Sequence, residues 1–126
     1  MVYSLTATYR SFPVHIENTG CFPFPQNASI LWLGVGDPTN ILQKLHQDIE
    51  KELEIVGFAK ENRAFTPHLT IGRLKQRDDK SKKLVDYHMQ KHFERIDVNV
   101  SKITIYESVL KPYGSVYSII DTITLK

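Results

Sequence analysis

His68 and Thr70 stand two residues apart in Thr66-Pro67-His68-Leu69-Thr70-Ile71-Gly72-Arg73, and these residue types at this spacing suit the handling of a phosphate. An imidazole titrates near neutral pH and can give or take a proton. A threonine hydroxyl can donate to a non-bridging oxygen, and a glycine lets a ligand approach the backbone. The spacing of two matters because alternate residues of a strand share a face. As a strand, the segment presents His68, Thr70 and Gly72 on one face and leaves Leu69 and Ile71 on the other to pack on helices. Simple alternation sends Arg73 to the far face, so it reaches the phosphate side only through a bulge or at the strand's end. A His-x-Thr triplet by itself is a weak signal, since many strands hold one as an ordinary structural pair.

The elements that must position these residues can be read from punctuation and periodicity. Pro67 biases its predecessor away from the helical region, so residues 63–67 are extended and 68–74 form the strand. Phe12 to Glu17 alternates as a strand that Asn18-Thr19-Gly20 ends, and residues 22–27, with two prolines, make a connector. Residues 30–35 are a continuous apolar strand of the kind buried on both faces. Asp37-Pro38 reads as the cap and first turn of a helix whose apolar positions are Ile41, Leu42, Leu45, Ile49, Leu53 and Val56, closed by Gly57. Residues 81–93 form a second helix with Leu84, Val85, Tyr87, Met89 and Phe93 as its apolar side. Residues 98–109 and 115–125 are strands joined by the turn Lys111-Pro112-Tyr113-Gly114. The order β-β-α-β-α-β-β predicts an α+β fold and not a doubly wound parallel sheet.

Composition sets the frame. The chain has 126 residues, one domain's worth, with 41% hydrophobic and 24% charged residues, which excludes disordered and collagen-like classes. Cys21 is the sole cysteine, so no internal disulfide can form, which suits a reducing, cytoplasmic compartment. Apolar runs are far too short to span a membrane, and the first ten residues lack the basic start and apolar core of a signal peptide. The net charge is +2, yet residues 60–95 carry ten of the 16 bases and five of the 14 acids, leaving +5 there and −3 elsewhere. Such a stretch can steer a phosphate-bearing ligand, and equally it can be a solvated helix face with its loop.

Other candidates read as structural. His88 and His92 are four apart on a helix, a possible metal pair, but no third ligand recommends itself and no metal is expected. His46 sits at the edge of an apolar stripe, and His15 reads as a surface or edge-strand histidine. Trp32 and Phe24 could stack a nucleobase, although a tryptophan within an apolar strand reads as core. Phe65, just before the motif, is the better candidate to line a base pocket. Tyr117 and Gly114 fit hairpin packing.

The run from Arg63 to Lys75, Arg-Ala-Phe-Thr-Pro-His-Leu-Thr-Ile-Gly-Arg-Leu-Lys, resembles the second His-x-Thr-x motif of the two-histidine (2H) phosphoesterases. It is most similar to that of the bacterial and archaeal RNA 2′,3′-cyclic phosphodiesterases, historically called 2′-5′ RNA ligases. Gly20-Cys-Phe-Pro23, Ile30-Leu-Trp-Leu-Gly-Val35 and the helix that follows resemble the family's middle section. Glu107-Ser-Val-Leu-Lys-Pro-Tyr-Gly-Ser-Val-Tyr117 resembles its closing hairpin. The resemblance covers residues 12–126 and implies a 2H phosphoesterase sandwich of antiparallel sheets with flanking helices. It implies metal-free, cofactor-free hydrolysis of RNA 2′,3′-cyclic phosphate ends to 2′-phosphates, with one histidine as base and another as acid. It gives His68 one of those roles, Thr70 a phosphate-binding role, and Arg73 a phosphate contact.

The family's first His-x-Thr motif has no counterpart in this sequence, because His15 is followed by Ile16 and Glu17. The chain therefore reads as a single domain of residues 1–126, the C-terminal two-thirds of such a protein with its N-terminal portion missing, and Met1 to Arg10 as the tail of a helix. Opening a cyclic phosphate needs a proton taken on one side of phosphorus and one given on the other, and each group is worth on the order of 10²–10⁴-fold. The alternative reading is thus a catalytically impaired module that binds nucleotides or RNA ends, and a third is a purely structural fragment. Ligation, the reverse of opening, is a secondary expectation. A missing lobe also exposes an apolar sheet, which favours a homodimer.

Overall fold

The apolar run 30–36 becomes β2 (Ile30–Gly36), an inner strand of a four-stranded sheet in the order β3-β2-β1-β4. The computed structural model describes residues 9–126. The expected helical tail at Met1–Arg10 therefore lies, for residues 1–8, outside the described residues. The remaining elements of this sheet are β1 (Phe12–Phe22), β3 (His68–Arg73) and β4 (Ile96–Val100). The helices are α1 (Ile41–Ile55) and α2 (Asp79–Gln90), and β5 (Lys102–Lys111) with β6 (Gly114–Thr124) forms a separate two-stranded sheet. The pairs β1–β2, β2–β3 and β5–β6 are all antiparallel. The chain is α+β, as expected.

The residues group into two compact units. One comprises residues 14–38 and 64–98 and holds most of the four-stranded sheet with α2. Its core is Cys21, Ala28, Leu31 and Val85, with Leu74 packed against it. Asp78 caps α2, its carboxylate accepting the Ser81 N–H at 2.9 Å, and that interaction lowers its pKa. The helix buries Val85 and His88, while Leu84, Tyr87 and Met89 stay exposed. His88 Nε2 approaches the carbonyls of Gly20 at 2.8 Å and Trp32 at 3.1 Å. Both partners only accept, so Nε2 carries the proton and donates to both. His88 is a pin between helix and sheet, not half of a metal pair.

The other unit comprises residues up to 13, 39–63 and 99–126. Its buried side chains include Tyr9, Phe12, Leu45, Ile123 and Leu125. The chain's end is tied in by Ser11 N–H to Lys126 O at 2.7 Å and Leu125 N–H to Ser101 O at 2.8 Å. Asn40, with φ 62°, precedes α1 without a side-chain cap, so Asp37 and Pro38 lie in a turn ahead of the helix and do not start it. The predicted stop holds. Gly57 has φ 105°, its N–H bonds Glu54 O and that of Phe58 bonds Leu53 O, the paired arrangement that closes helices at a left-handed glycine.

Two further boundaries and one burial pattern differ from expectation. β1 runs through Asn18-Thr19-Gly20 to Phe22, because Asn18 takes a left-handed conformation (φ 65°) and bulges the strand without ending it. The predicted strand 98–109 divides at Ser101 into β4 and β5, which belong to different sheets. Leu69 and Ile71 remain about half exposed, at 50% and 54%, because β3 is an edge strand.

Candidate functional site

His68 opens β3 directly after Thr66-Pro67, and its Nδ1 lies 2.7 Å from the Thr66 carbonyl. A carbonyl only accepts, so in the neutral ring Nδ1 carries the proton and Nε2 keeps the lone pair. The ring is exposed, and its edge meets Phe22 at 5.0 Å between centroids, with Trp32 at 6.0 Å. One nitrogen is thus committed to orientation and the other is left for chemistry.

Register fixes which residues share this face. His68 pairs with Gly34 and Thr70 with Trp32, and across the next ladder Gly34 pairs with Glu17 and Trp32 with Gly20. His68, Thr70, Trp32, Gly34, Glu17 and Gly20 therefore lie on one face of the sheet. Between Thr70 and Gly72 the strand carries an extra residue, Ile71, so that Gly72 pairs with Leu31 and Arg73 with Ile30. Ile30 is two residues from Trp32 on β2. The bulge hence returns Arg73 to the face of His68 and moves Gly72 to the other, where simple alternation had put them the opposite way. Nothing approaches the position of a Gly72 Cβ within 4 Å.

Trp32 is not a core residue. It is partly buried, lies over Gly20 where any Cβ would collide with its ring, and packs against Phe22 at 5.2 Å. Its indole Nε1 is buried with no acceptor among the described residues. Beside it lies a hollow of about 310 Å³, bordered by Trp32, Gly34, Gly36, Glu17, Phe65 and Thr66. Phe65 borders this hollow, and Phe24, which does not, is 50% exposed. Sequence reasoning set Trp32 aside as core and missed Glu17. The signal was there in Trp32-x-Gly34-x-Gly36, which strips alternate positions of a strand of side chains on one face.

His15 shares this face through its pairing with Gly36, and its Nδ1 stands 2.8 Å from the Asp97 carboxylate, which Arg95 also approaches at 3.3 Å. His92 lies beyond the end of α2, and among the described residues no three His, Cys, Asp or Glu side chains gather as a metal site. No helix there is long and apolar enough to cross a membrane. Burial raises the pKa of the Cys21 thiol, which keeps it in its unreactive protonated form.

A sequence model described as the 2′-5′ RNA ligase superfamily matches residues 2–111. The chain belongs to this superfamily. Among the curated relatives it resembles, the RNA 2′,3′-cyclic phosphodiesterase of Thermotoga maritima is 36% identical over 112 residues, 89% of this chain and 57% of that protein. The protein of the same description from Methanocaldococcus jannaschii is 29% identical over 119 residues, covering 94% of this chain and 67% of its own length. The chain thus spans between half and two-thirds of these superfamily members. In fold it is similar to TT0787 of Thermus thermophilus, with a TM-score of 0.68 over 98% of this chain and 65% of that one, at 20% identity.

Proposed function

We propose that the protein, when complete, hydrolyses RNA-type 2′,3′-cyclic phosphates to 2′-phosphates by acid–base catalysis without a metal, and that His68 is one of its two proton-transfer groups. The observation that carries this reading is the bond from His68 Nδ1 to the Thr66 carbonyl, which aims the basic Nε2 away from the backbone. Thr70 and Arg73 share that face and would hold the non-bridging oxygens, the first through its hydroxyl and the second through a paired guanidinium fork. The relatives named for this activity support the substrate class. RNA ends or cyclic nucleotides are the partners, and a single buried thiol fits a cytoplasmic setting.

The test is hydrolysis of a 2′,3′-cyclic nucleotide followed by chromatography. His68→Ala should lower turnover by about 10²-fold or more, and a chelator should leave it unchanged. Activity that survives His68→Ala, or that disappears with the chelator, refutes the proposal. A second reading, binding of nucleotide or RNA ends without turnover, is favoured by the presence of one His-x-Thr sequence in the 126 residues. Binding with no detectable product would select it. Homodimer formation belongs to the same proposal, since the β5–β6 hairpin exposes Tyr106, Leu110, Tyr117 and Ile119. Sedimentation showing only monomer at high protein concentration would remove it.

A further inference from the structure

Beyond Trp32, β2 carries only glycine on the His68 face, at Gly34 and Gly36, and the hollow of about 310 Å³ lies over this bare stretch. At Gly34 the lack of a side chain is required by backbone, and at Gly36 it leaves room for the Glu17 carboxylate. A Cβ on Gly36 would collide with the Glu17 carboxylate, and one on Gly34 would come within 2.6 Å of the Glu17 carbonyl oxygen. The bulge at Asn18 follows immediately, and Glu17 borders the hollow with its carboxylate beside Gly36. Phe65 and Trp32 border the same space with aromatic rings. Its volume sits at the low end of small-ligand pockets, roughly 300–1,000 Å³, enough for one heterocycle. Thr66 borders it too, and the carbonyl of Thr66 is the group that orients His68.

We infer that Glu17 is a specificity-determining residue and that the hollow selects guanine as the base attached to the cyclic phosphate. The inference rests on the phosphodiesterase reading above, because that reading places the phosphate at His68. A carboxylate only accepts, and it accepts best from two adjacent donors. Guanine presents such a pair, N1–H and the N2 amino group. Adenine and cytosine present an amino group beside a ring nitrogen that is itself an acceptor. Uracil presents one N–H flanked by two carbonyls. Only guanine meets Glu17 without setting an acceptor against a carboxylate oxygen, and the aromatic rings supply stacking that any base would share.

The experiment compares 2′,3′-cyclic GMP, AMP, CMP and UMP by titration calorimetry and by the ratio of kcat/KM values. Cyclic GMP should lead the others by about ten-fold or more, the discrimination a paired contact gives. Glu17→Gln offers one acceptor beside one donor, a pair that each of the four bases can match on its Watson–Crick edge, so the guanine preference should collapse in that variant, a change that a merely structural residue would not produce. Gly36→Ala places a methyl where the carboxylate lies and should abolish the guanine preference with Glu17 still present. Thermal melting verifies that each variant is folded. Equal treatment of the four bases, or a guanine preference that persists in Glu17→Gln, overturns the inference. Guanine-selective, Glu17-dependent binding without hydrolysis would sustain it while sinking the phosphodiesterase reading. Hydrolysis of all four bases at equal rates would do the reverse, and failure to bind any of them refutes both.

Discussion

Thr70 and Arg73 face the same ligand with different chemistry, and substitution should separate them. Thr70→Val keeps the branched shape and removes the hydroxyl. If that hydroxyl donates to a charged phosphate oxygen, kcat/KM for a cyclic nucleotide should fall by about ten-fold, in line with hydrogen bonds to charged groups. Arg73→Lys keeps the charge and loses the planar fork, so activity should fall less than in Arg73→Ala. An Arg73→Lys variant no better than Arg73→Ala would assign the role to geometry alone. Cys21 gives a simpler check. Its buried thiol, held protonated by desolvation, should resist alkylation at neutral pH in the native protein and react promptly once denaturant is added.

At the scale of elements, one proton on His88 ties α2 to two carbonyls of the sheet, beside the apolar packing of Val85. Removing the imidazole in His88→Ala leaves two carbonyls without that donor and opens a void, at a cost of roughly 2–4 kcal/mol by denaturant unfolding. Gly20→Ala should also destabilise, because the new methyl and the Trp32 ring claim one volume. Asp78 caps the same helix, and its pKa is lowered by the Ser81 bonds. Its contribution is therefore present above the ordinary carboxylate range and is lost as pH falls through the lowered value. The helices, the β3 strand and the hairpin were legible in the sequence because periodicity, proline and glycine each act locally. The bulges at Asn18 and Ile71 were not, since a bulge is a property of two paired strands and neither strand alone announces it. Trp32 was misread for a related reason. An apolar run says that a strand is inner but not which of its faces meets a helix and which meets a ligand.

At the scale of the whole molecule, the two units concentrate different ionisable chemistry. The unit with β3 and α2 carries most of the basic stretch, including Arg73, Lys75 and Arg77, the last donating to Ser29 Oγ. In the other unit, Tyr9 is buried beside Asp48, to which its hydroxyl donates, and Lys44 lies 5.4 Å from its ring centre. Desolvation first, and Asp48 second, push the Tyr9 pKa up to about 12. A folded-state value above the ordinary 10 means that this stability is intact below pH 10 and is lost as pH rises toward 12. The unfolding free energy of the wild-type protein should drop more steeply across that window than that of Tyr9→Phe, and parallel curves would contradict the assignment.

Ile71 has a consequence that its exposed side chain conceals. What matters at this position is that one residue stands outside the ladder, not which residue it is: if Ile71 took a place in the ladder, everything downstream would turn over by one step of the pleat. Exchange of Ile71 for serine or lysine should pass almost unnoticed, and its deletion should close the ladder into regular alternation, with Gly72 still opposite Leu31 and the guanidinium still on the surface that carries the imidazole. Among relatives of this chain, the nature of the residue in the middle should accordingly vary freely, and a relative one residue shorter between imidazole and guanidinium should pair its strands there without the irregularity.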